Sequence, residues 1–195
     1  MSIAAVVLAA GGSSRLGEPK QLLQFEGEPL LKRVSRVAIE AGCDPVLVVL
    51  GAQAERCRAA FAELPVQDLM NEEWESGLAS SIRCGIAAVP TGAAAAILLA
   101  CDQPHVTPGL LRQLIASSRG GENMAASHYA ETLGVPALFP RLLFPELLAL
   151  AGDSGAKPLL FKYRETVAPV PFPEGATDID WPADIAALKR PPGQI

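Results

Sequence analysis

Short aliphatic runs alternate with longer segments of helical periodicity along most of this chain, and this alternation constrains its fold most tightly. Runs with the length and residue types of buried strands are Ile3 to Ala10, Pro45 to Leu50, Val66 to Met70 and Ala94 to Cys101. Apolar residues spaced by three and four predict helices over Pro29 to Ala41, Gln53 to Leu64, Gly77 to Val89 and Thr107 to Ser118. This order predicts a three-layer α/β/α fold, in which helices cover both faces of a mainly parallel central sheet.

The simple repetition of strand and helix ends after Gly121. The elements predicted beyond it are strands over Asn123 to Tyr129 and Val135 to Phe139, a helix over Leu142 to Leu150, and an extended segment over Thr166 to Pro173. Pro182 favours the start of a last short helix that ends near Leu188.

Composition and charge limit the class of protein. Hydrophobic residues make up 50% of the 195, which is enough for the core of a single domain. The formal net charge of −5 argues against a broad basic surface for nucleic acid, so we expect a small anionic substrate. The longest apolar run, Ala93 to Cys101, is far shorter than the roughly 18 residues that span a bilayer. No basic residue precedes Arg15 as in a secretory signal, so we expect a cytoplasmic protein without membrane contacts.

The cysteines are widely spaced and form no C-x-x-C pair. Cys43, Cys57, Cys84 and Cys101 therefore fit buried free thiols better than a zinc site or a disulfide framework. Free thiols of this kind pack as small apolar side chains.

The segment after the first strand carries the strongest indication of chemistry. It reads LAAGGSSRLGEPKQLL from Leu8 to Leu23, so a buried strand leads into small residues and then into two basic ones. The small residues that let backbone N–H groups approach a ligand are Ala9, Ala10, Gly11 and Gly12. Arg15 can donate a fork of hydrogen bonds to phosphate oxygens, and Lys20 adds a compact positive charge. The segment therefore predicts a site for nucleotide phosphates.

Two other nucleotide-binding loops do not fit this segment. A Walker A loop requires Lys and then Ser or Thr directly after its last glycine, whereas Glu18 and Pro19 follow Gly17. A dinucleotide-binding fold requires G-x-G-x-x-G and an acidic residue at the end of the second strand, where this chain has Gly51. Both classes of site are therefore disfavoured.

The loop resembles that of the MobA-like nucleotidyltransferases, which reads LAAG, a short spacer, R-x-G, a second spacer and K. Further motifs extend the resemblance over nearly the whole chain and bring it closest to the molybdenum cofactor cytidylyltransferases. They are NEWESGLASSI from Asn71, CDQPHVTP from Cys101 and GDSGAK from Gly152. The resemblance implies a Rossmann-like fold of the nucleotide-diphospho-sugar transferase type, with one domain over 1–190 and a flexible tail over 191–195. The nucleotide-binding half would cover about 1–105 and the acceptor-binding half about 106–190.

Asp102 is the first candidate for a metal ligand. It follows the apolar run AAAAILLAC, so it stands at the carboxyl end of a central strand, where ligands bind in open α/β sheets. Magnesium prefers carboxylate and phosphate oxygens, and one or two carboxylates suffice when the substrate supplies the other ligands. The resemblance implies a second, late acidic motif, and DIDWP at 178–182 occupies the matching place. We favour Asp180 over Asp178 as the second ligand, although Trp181 stands where the family usually has Thr.

The remaining site residues rest mainly on the resemblance. Together with the loop, the predicted nucleotide-binding set is Leu8, Ala9, Ala10, Gly11, Gly12, Arg15, Lys20, Asn71, Gly77 and Ser81, of which Arg15 and Lys20 join Asp102 as the catalytic set. The predicted acceptor-binding set is Gly134, Pro136, Ser154, Gly155 and Lys157, with Lys157 assigned to a phosphate of the acceptor. Ser80 and Ser81 either contact the nucleotide or cap a helix. Trp74 is interpreted as a packing residue.

The reaction that the resemblance implies joins the terminal phosphate of molybdenum-loaded molybdopterin to the α-phosphorus of CTP and releases pyrophosphate. Mg²⁺ is the implied cofactor, and a molybdoenzyme or its maturation factor is a further implied partner. The side chains that read the base cannot be located from sequence, so a guanylyltransferase or a sugar-phosphate nucleotidyltransferase remains open. Alternatives from other classes are a non-catalytic chaperone of the molybdenum cofactor and a Rossmann oxidoreductase. Retention of Arg15, Lys20 and Asp102 argues against the chaperone.

Overall fold

The computed structural model describes residues 2–13 and 17–176, in which helices cover both faces of a mixed seven-stranded sheet. The strands are β1 (Ser2–Ala9), β2 (Gln24–Phe25), β3 (Glu28–Pro29), β4 (Val46–Leu50), β5 (Gln67–Met70), β6 (Ala93–Ala100), β7 (Ala125–Tyr129), β8 (Thr132–Pro140) and β9 (Ala168–Pro171). The helices are α1 (Leu30–Glu40), α2 (Ala54–Ala59), α3 (Leu78–Ala87), α4 (Pro108–Ser117), α5 (Phe144–Leu148) and α6 (Lys157–Lys162).

The order of strands across the sheet is β5, β4, β1, β6, β8, β7 and β9, while β2 and β3 form a separate hairpin. Strands β5, β4, β1 and β6 run parallel, β8 is antiparallel to β6 and β7, and β9 is parallel to β7. The chain starts at the centre of the sheet with β1, moves outward through β4 to β5, and returns to the other side of β1 with β6. This reversal of direction leaves a crevice at the carboxyl ends of β1 and β6. The predicted mainly parallel sheet is confirmed.

The two helical layers pack on opposite faces of the sheet because side chains of a strand alternate between its faces. Ala5 and Val7 of β1 belong to the core that α1, α2 and α4 cover, whereas Ala4 and Val6 belong to the core under α3, α5 and α6. Gly85 lets α3 approach the sheet closely, because a Cβ there would lie 2.2 Å from Val6 Cγ1. No helix in the described ranges is long and apolar enough to cross a membrane.

The four cysteines are free thiols in the structure, and the prediction that they are buried is confirmed for three of them. Cys43, Cys57 and Cys101 are buried, and Cys84 is half-buried. Burial raises the pKa of the Cys43 and Cys101 thiols to about 12, so both remain neutral near pH 7. Cys43, Cys57 and Cys101 therefore act as small apolar members of the core.

Three local elements differ from the prediction. Helix α2 ends at Ala59 rather than near Leu64, and turns closed by hydrogen bonds three residues apart follow it. The short hairpin of β2 and β3 and the six-residue helix α6 were not predicted. Elements of this length carry too few residues to display a periodic pattern.

Candidate active-site cleft

A cleft of about 540 Å³ opens at the carboxyl ends of β1 and β6. The predicted site residues that line it are Leu8, Ala9, Ala10, Gly11, Gly12, Lys20, Gly77, Ser81, Asp102, Gly134, Gly155 and Lys157. These residues come from segments throughout the sequence. They meet at one cavity because β1 and β6 are neighbours in the sheet.

Gln21 organises the glycine-rich loop, and the sequence did not single it out. Its side chain is buried, and Nε2 donates hydrogen bonds to the carbonyl oxygens of Ala9, at 2.9 Å, and Gly11, at 2.7 Å. Ser13 Oγ donates to the carboxamide oxygen of Gln21 at 3.3 Å. These bonds hold two loop carbonyls toward a buried amide. The one signal in the sequence was a polar residue directly before the apolar pair Leu22 and Leu23.

Lys20 and Asp102 meet in the cleft although they lie 82 positions apart in sequence. Lys20 Nζ forms an ion pair with Asp102 Oδ2, and the two side chains are only 22% and 16% exposed. The backbone N–H of Lys20 donates to Ser13 Oγ at 2.9 Å, which fixes this end of the loop. Partial shielding from water strengthens such a pair relative to a fully exposed one. The predicted phosphate-binding cation and the predicted metal ligand therefore share one point of the cleft.

Trp74 packs on the backbone of the loop and also lines the cleft. A Cβ on Gly12 would lie 3.3 Å from Trp74 Cζ3. A Cβ on Gly51 would lie 2.7 Å from both Trp74 Cβ and the carbonyl oxygen of Ala10. The predicted packing role of Trp74 is confirmed. Its contact with Gly51 also explains why a residue without a side chain stands at position 51. An acidic side chain at that position, as in dinucleotide-binding folds, would collide with Trp74.

Asn71 supports the start of α3 from behind and is not among the residues that line the cleft. Its Nδ2 donates to Ser80 Oγ at 2.8 Å and Ser81 Oγ at 3.1 Å, and its Oδ1 accepts from the N–H of Glu73. Ser80 Oγ donates in turn to the carbonyl oxygen of Gly77 at 2.8 Å. The Ser80 hydroxyl is thus engaged within the protein, whereas Ser81 both accepts from Asn71 and lines the cleft.

The GDSGAK loop docks on the N-terminus of α3. That helix has no side-chain cap, and the N–H of Ala79 donates to the carbonyl oxygen of Gly152 at 3.1 Å. Gly77 has φ +110°, and a Cβ there would lie 2.5 Å from the carbonyl carbon and oxygen of Gly152. Gly155 faces Leu78, whose Cδ2 would be 3.2 Å from a Cβ at 155. The helix predicted to face the nucleotide and the loop predicted to face the acceptor therefore form one continuous wall.

The second half of the chain supplies a further wall around Gly134. A Cβ on Gly134 would lie 2.1 Å from the hydroxyl oxygen of Tyr129, which lines the cleft beside it. Lys157 also lines the cleft, with Nζ 5.9 Å from the ring centroid of Phe161. Pro136 is buried in β8, where its carbonyl oxygen accepts from Ser127 Oγ, and Ser154 is exposed. Neither of these two predicted acceptor-binding residues is among those that line the cleft.

Three predicted residues lie outside the described ranges: Arg15, Asp178 and Asp180. Within those ranges no group of three or more His, Cys, Asp or Glu side chains is arranged to hold a metal ion. A divalent cation at Asp102 would therefore need oxygen ligands from a bound nucleotide or from elsewhere in the chain.

Cys101 lines the cleft next to Asp102 but does not provide a nucleophile. Burial and, to a smaller extent, the negative charge of Asp102 raise the pKa of the Cys101 thiol to about 12. The thiolate is the reactive form of cysteine, so this thiol is inert near neutral pH.

This chain is similar to known proteins over most of its length. The family described as the MobA-like NTP transferase domain matches residues 5–167. The chain is 31% identical over 166 residues to the nicotine blue oxidoreductase of Paenarthrobacter nicotinovorans, and the aligned region covers 81% of each protein. It is also 31% identical over 199 residues to the probable molybdenum cofactor guanylyltransferase of Synechococcus elongatus. That aligned region covers 98% of this chain and 89% of the relative.

Solved structures show the same fold at substantial identity. The crystal structure of Rv0371c from Mycobacterium tuberculosis H37Rv has a TM-score of 0.85 and 35% identity, with 96% of this chain and 97% of that chain covered. A complex of Rv0371c with manganese has a TM-score of 0.80 and 32% identity, with 96% and 98% covered. Since the family match covers most of the chain, from within β1 to the residue before β9, this chain belongs to the MobA-like NTP transferase domain family.

Proposed function

We propose that this protein transfers CMP from CTP to the terminal phosphate of molybdenum-loaded molybdopterin and releases pyrophosphate. The observation that carries the proposal is that the glycine-rich loop, the Lys20–Asp102 pair and the GDSGAK loop surround one cleft. Membership of an NTP transferase family supports the triphosphate substrate. The name of the Synechococcus relative supports nucleotidyl transfer to a molybdenum cofactor.

The triphosphate would bind along the loop that follows β1, with Arg15 and Lys20 as its cationic partners. Gln21 supports this assignment, because it draws the carbonyl oxygens of Ala9 and Gly11 toward a buried amide and away from an anionic ligand. Loops that keep their carbonyls away from the ligand and offer N–H groups form favourable anion sites. Asn71 would act indirectly, by orienting the Ser81 hydroxyl.

Mg²⁺ is the proposed cofactor, with Asp102 and Asp180 as its protein ligands. The Asp102 carboxylate fits such an ion, because it is a hard oxygen donor that lines the cleft where the phosphates would lie. The manganese complex of Rv0371c supports a divalent cation in a protein of this fold. When bound, the ion would neutralise phosphate charge and orient the leaving pyrophosphate.

The proposed chemical step is a direct displacement at the α-phosphorus. An oxygen of the acceptor phosphate forms a bond to the α-phosphorus. The bond between the α-phosphorus and the oxygen that bridges it to the β-phosphorus breaks, and pyrophosphate leaves with the electron pair. The acceptor phosphate is ionised near neutral pH, so a general base is not required. Lys20 and Arg15 would neutralise the charge that develops on the leaving group.

The acceptor would bind on the side formed by residues of about 106–190. Gly134 and Gly155 line this wall and let Tyr129 and Leu78 pack closely against it, and Lys157 offers a positive charge to a phosphate. Pro136 and Ser154 would contribute by shaping β8 and the GDSGAK loop rather than by direct contact. The nucleotide-binding half would then be about 1–105, with both halves on one sheet.

CTP should be the preferred nucleotide in a pyrophosphate-release assay with CTP, GTP and ATP, each with and without molybdenum-loaded molybdopterin. A buried polar group that pairs with one base edge is left unsatisfied by another, at a cost of about 1 to 3 kcal/mol. We therefore expect kcat/KM for CTP to exceed that for GTP and ATP by about tenfold or more.

Each alternative outcome of this assay assigns the protein differently. GTP used as well as CTP would move it to the guanylyltransferases, as the name of the Synechococcus relative favours. Release that requires a sugar phosphate instead of the pterin would overturn the acceptor. Nicotinamide-dependent redox turnover without pyrophosphate release would overturn the class of reaction, toward the activity for which the Paenarthrobacter relative is named.

Lys20→Ala should weaken the use of the triphosphate, because it removes a charge-assisted contact worth roughly 1.5 to 3 kcal/mol. We expect kcat/KM for CTP to fall by about ten- to a hundredfold, and Arg15→Ala to have an effect of the same kind. Lys32→Ala is the matched control, because Lys32 is similarly shielded, at 28% exposed, and forms an ion pair with Glu63 away from the cleft. If Lys20→Ala and Arg15→Ala both retain the kcat/KM of Lys32→Ala, the loop does not hold the phosphates.

A further inference from the structure

We propose that Arg33 is a positioning residue that fixes the turn carrying Asp102 from behind the cleft; this inference rests on the proposed function. Arg33 Nε donates to the carbonyl oxygen of Pro104 at 2.8 Å, two residues beyond Asp102. Arg33 does not line the cleft, and its side chain is only 16% exposed. It therefore acts on the reaction through the backbone of the turn and touches neither substrate.

Arg33 is itself held on several sides by the hairpin of β2 and β3. Its Nη1 lies 2.8 Å from Glu26 Oε2 and 3.5 Å from Glu28 Oε1, and its guanidinium carbon lies 4.9 Å from the ring centroid of Phe25. A planar guanidinium can stack on a ring and donate in several fixed directions at once, which an ammonium group cannot do. The geometry is therefore specific to arginine.

Glu28 provides a permanent counter-ion for this arrangement. A hydrogen bond from Arg36 holds the pKa of the Glu28 carboxyl below its usual value, so Glu28 remains ionised near neutral pH. Arg36 contacts Glu28 and Glu40 and makes no described contact with the Asp102 turn. The two arginines of α1 thus share one glutamate but differ in whether they reach the turn.

The same hairpin holds the Asp102 turn at a second point. The ring of Phe25 packs edge-to-face against His105, with centroids 5.5 Å apart. On its other side the hairpin continues directly from the helical turn Lys20–Leu22, and the N–H of Leu30 closes it onto the carbonyl oxygen of Leu23 at 2.9 Å. One small element therefore adjoins the segments that carry both members of the Lys20–Asp102 pair.

The test is metal binding by Arg33→Lys, with Arg36→Lys as the matched control on the same helix. Mn²⁺ binding would be followed by electron paramagnetic resonance in the presence of a non-hydrolysable CTP analogue, alongside the Mg²⁺ concentration that gives half-maximal pyrophosphate release. Groups that orient metal ligands typically change metal affinity by about 10- to 100-fold, so we expect a loss of that size in Arg33→Lys. Arg36→Lys should bind Mn²⁺ within about threefold of the native protein, since only the turn-positioning contacts carry the effect.

Asp102→Asn in the same titration separates the failure of this inference from failure of the proposed function. If Asp102→Asn weakens Mn²⁺ binding but Arg33→Lys does not, the positioning role of Arg33 is wrong and the metal site stands. Equal losses in Arg33→Lys and Arg36→Lys would also overturn it, because a general effect of the ion-pair network would then suffice. Native Mn²⁺ affinity in Asp102→Asn would overturn both the metal site and the inference.

Discussion

Asp102→Asn should lose about a hundredfold or more in kcat for pyrophosphate release, the scale seen when one preorganised electrostatic partner is removed from an active site. The substitution removes the negative charge that would hold the metal ion, and it removes the charge of Asp102 from its ion pair with Lys20. Asn has nearly the same shape as Asp, so the turn after β6 should keep its structure. The loss should therefore appear in turnover while the protein stays folded.

Asp68→Asn is the control for this experiment. Asp68 also pairs with a cation, at 2.8 Å from Arg58 Nη2, but it lies on the edge strand β5 and does not line the cleft. Both variants should have circular dichroism spectra and melting temperatures close to those of the native protein, and only Asp102→Asn should lose activity. Native turnover of Asp102→Asn at saturating Mg²⁺ would remove Asp102 from the reaction.

Gly77→Ala should lower the free energy of unfolding by about 1 to 3 kcal/mol, the cost of one strained backbone position. Its φ of +110° is unfavourable for any residue with a Cβ, and the added carbon would lie 2.5 Å from the carbonyl of Gly152. The neighbouring chain cannot yield freely, because the Gly152 oxygen accepts from the N–H of Ala79. Displacing this loop should also lower kcat/KM, since it forms the wall between the proposed nucleotide and acceptor sites.

Gly92→Ala is the control for a glycine that has no such role. Gly92 directly precedes β6, and a Cβ there would meet no atom within 4 Å. We expect its stability to stay within about 0.5 kcal/mol of the native value. Urea unfolding would compare the two variants, provided that their free energies of unfolding fall with urea concentration at the same slope. Equal midpoint concentrations of urea would show that the contact between Gly77 and Gly152 does not constrain the cleft.

The expected loss of activity in Gly77→Ala reflects how the two halves of the chain are joined. Besides the bond from Ala79, Arg83 of α3 donates from Nη1 to the carbonyl oxygen of Leu150 at 2.8 Å. Helix α3 therefore holds the segment that contains GDSGAK at two points. A shift in this helix would move residues on both sides of the cleft together.

Local sequence patterns were sufficient for the main elements of the fold. The uninterrupted aliphatic runs at β1, β4 and β6 match strands buried on both faces, and the three- and four-residue spacing in α1, α3 and α4 matches their buried stripes. Burial and helical periodicity both determine the pattern of apolar residues within a short segment. These elements can therefore be predicted without knowing which other segments they contact. The glycine-rich loop and Asp102 were readable for the same reason, since each follows the end of such a strand.

Tertiary structure alone decided which segments meet. The order of strands places β6 beside β1, which brings Lys20 to Asp102. The packing of α3 against α5 brings Gly77 to Gly152. The supporting roles of Gln21 and Arg33 depend on carbonyl groups that they reach across the fold, 10 or 12 residues away for Gln21 and 71 for Arg33. A polar side chain in a partly apolar helix or turn can either face solvent or donate a hydrogen bond to a distant carbonyl group, and its local sequence does not distinguish the two. Sequence therefore determined the elements and the chemical types at their ends, whereas the long-range contacts that assemble the cleft came from the packing of the sheet.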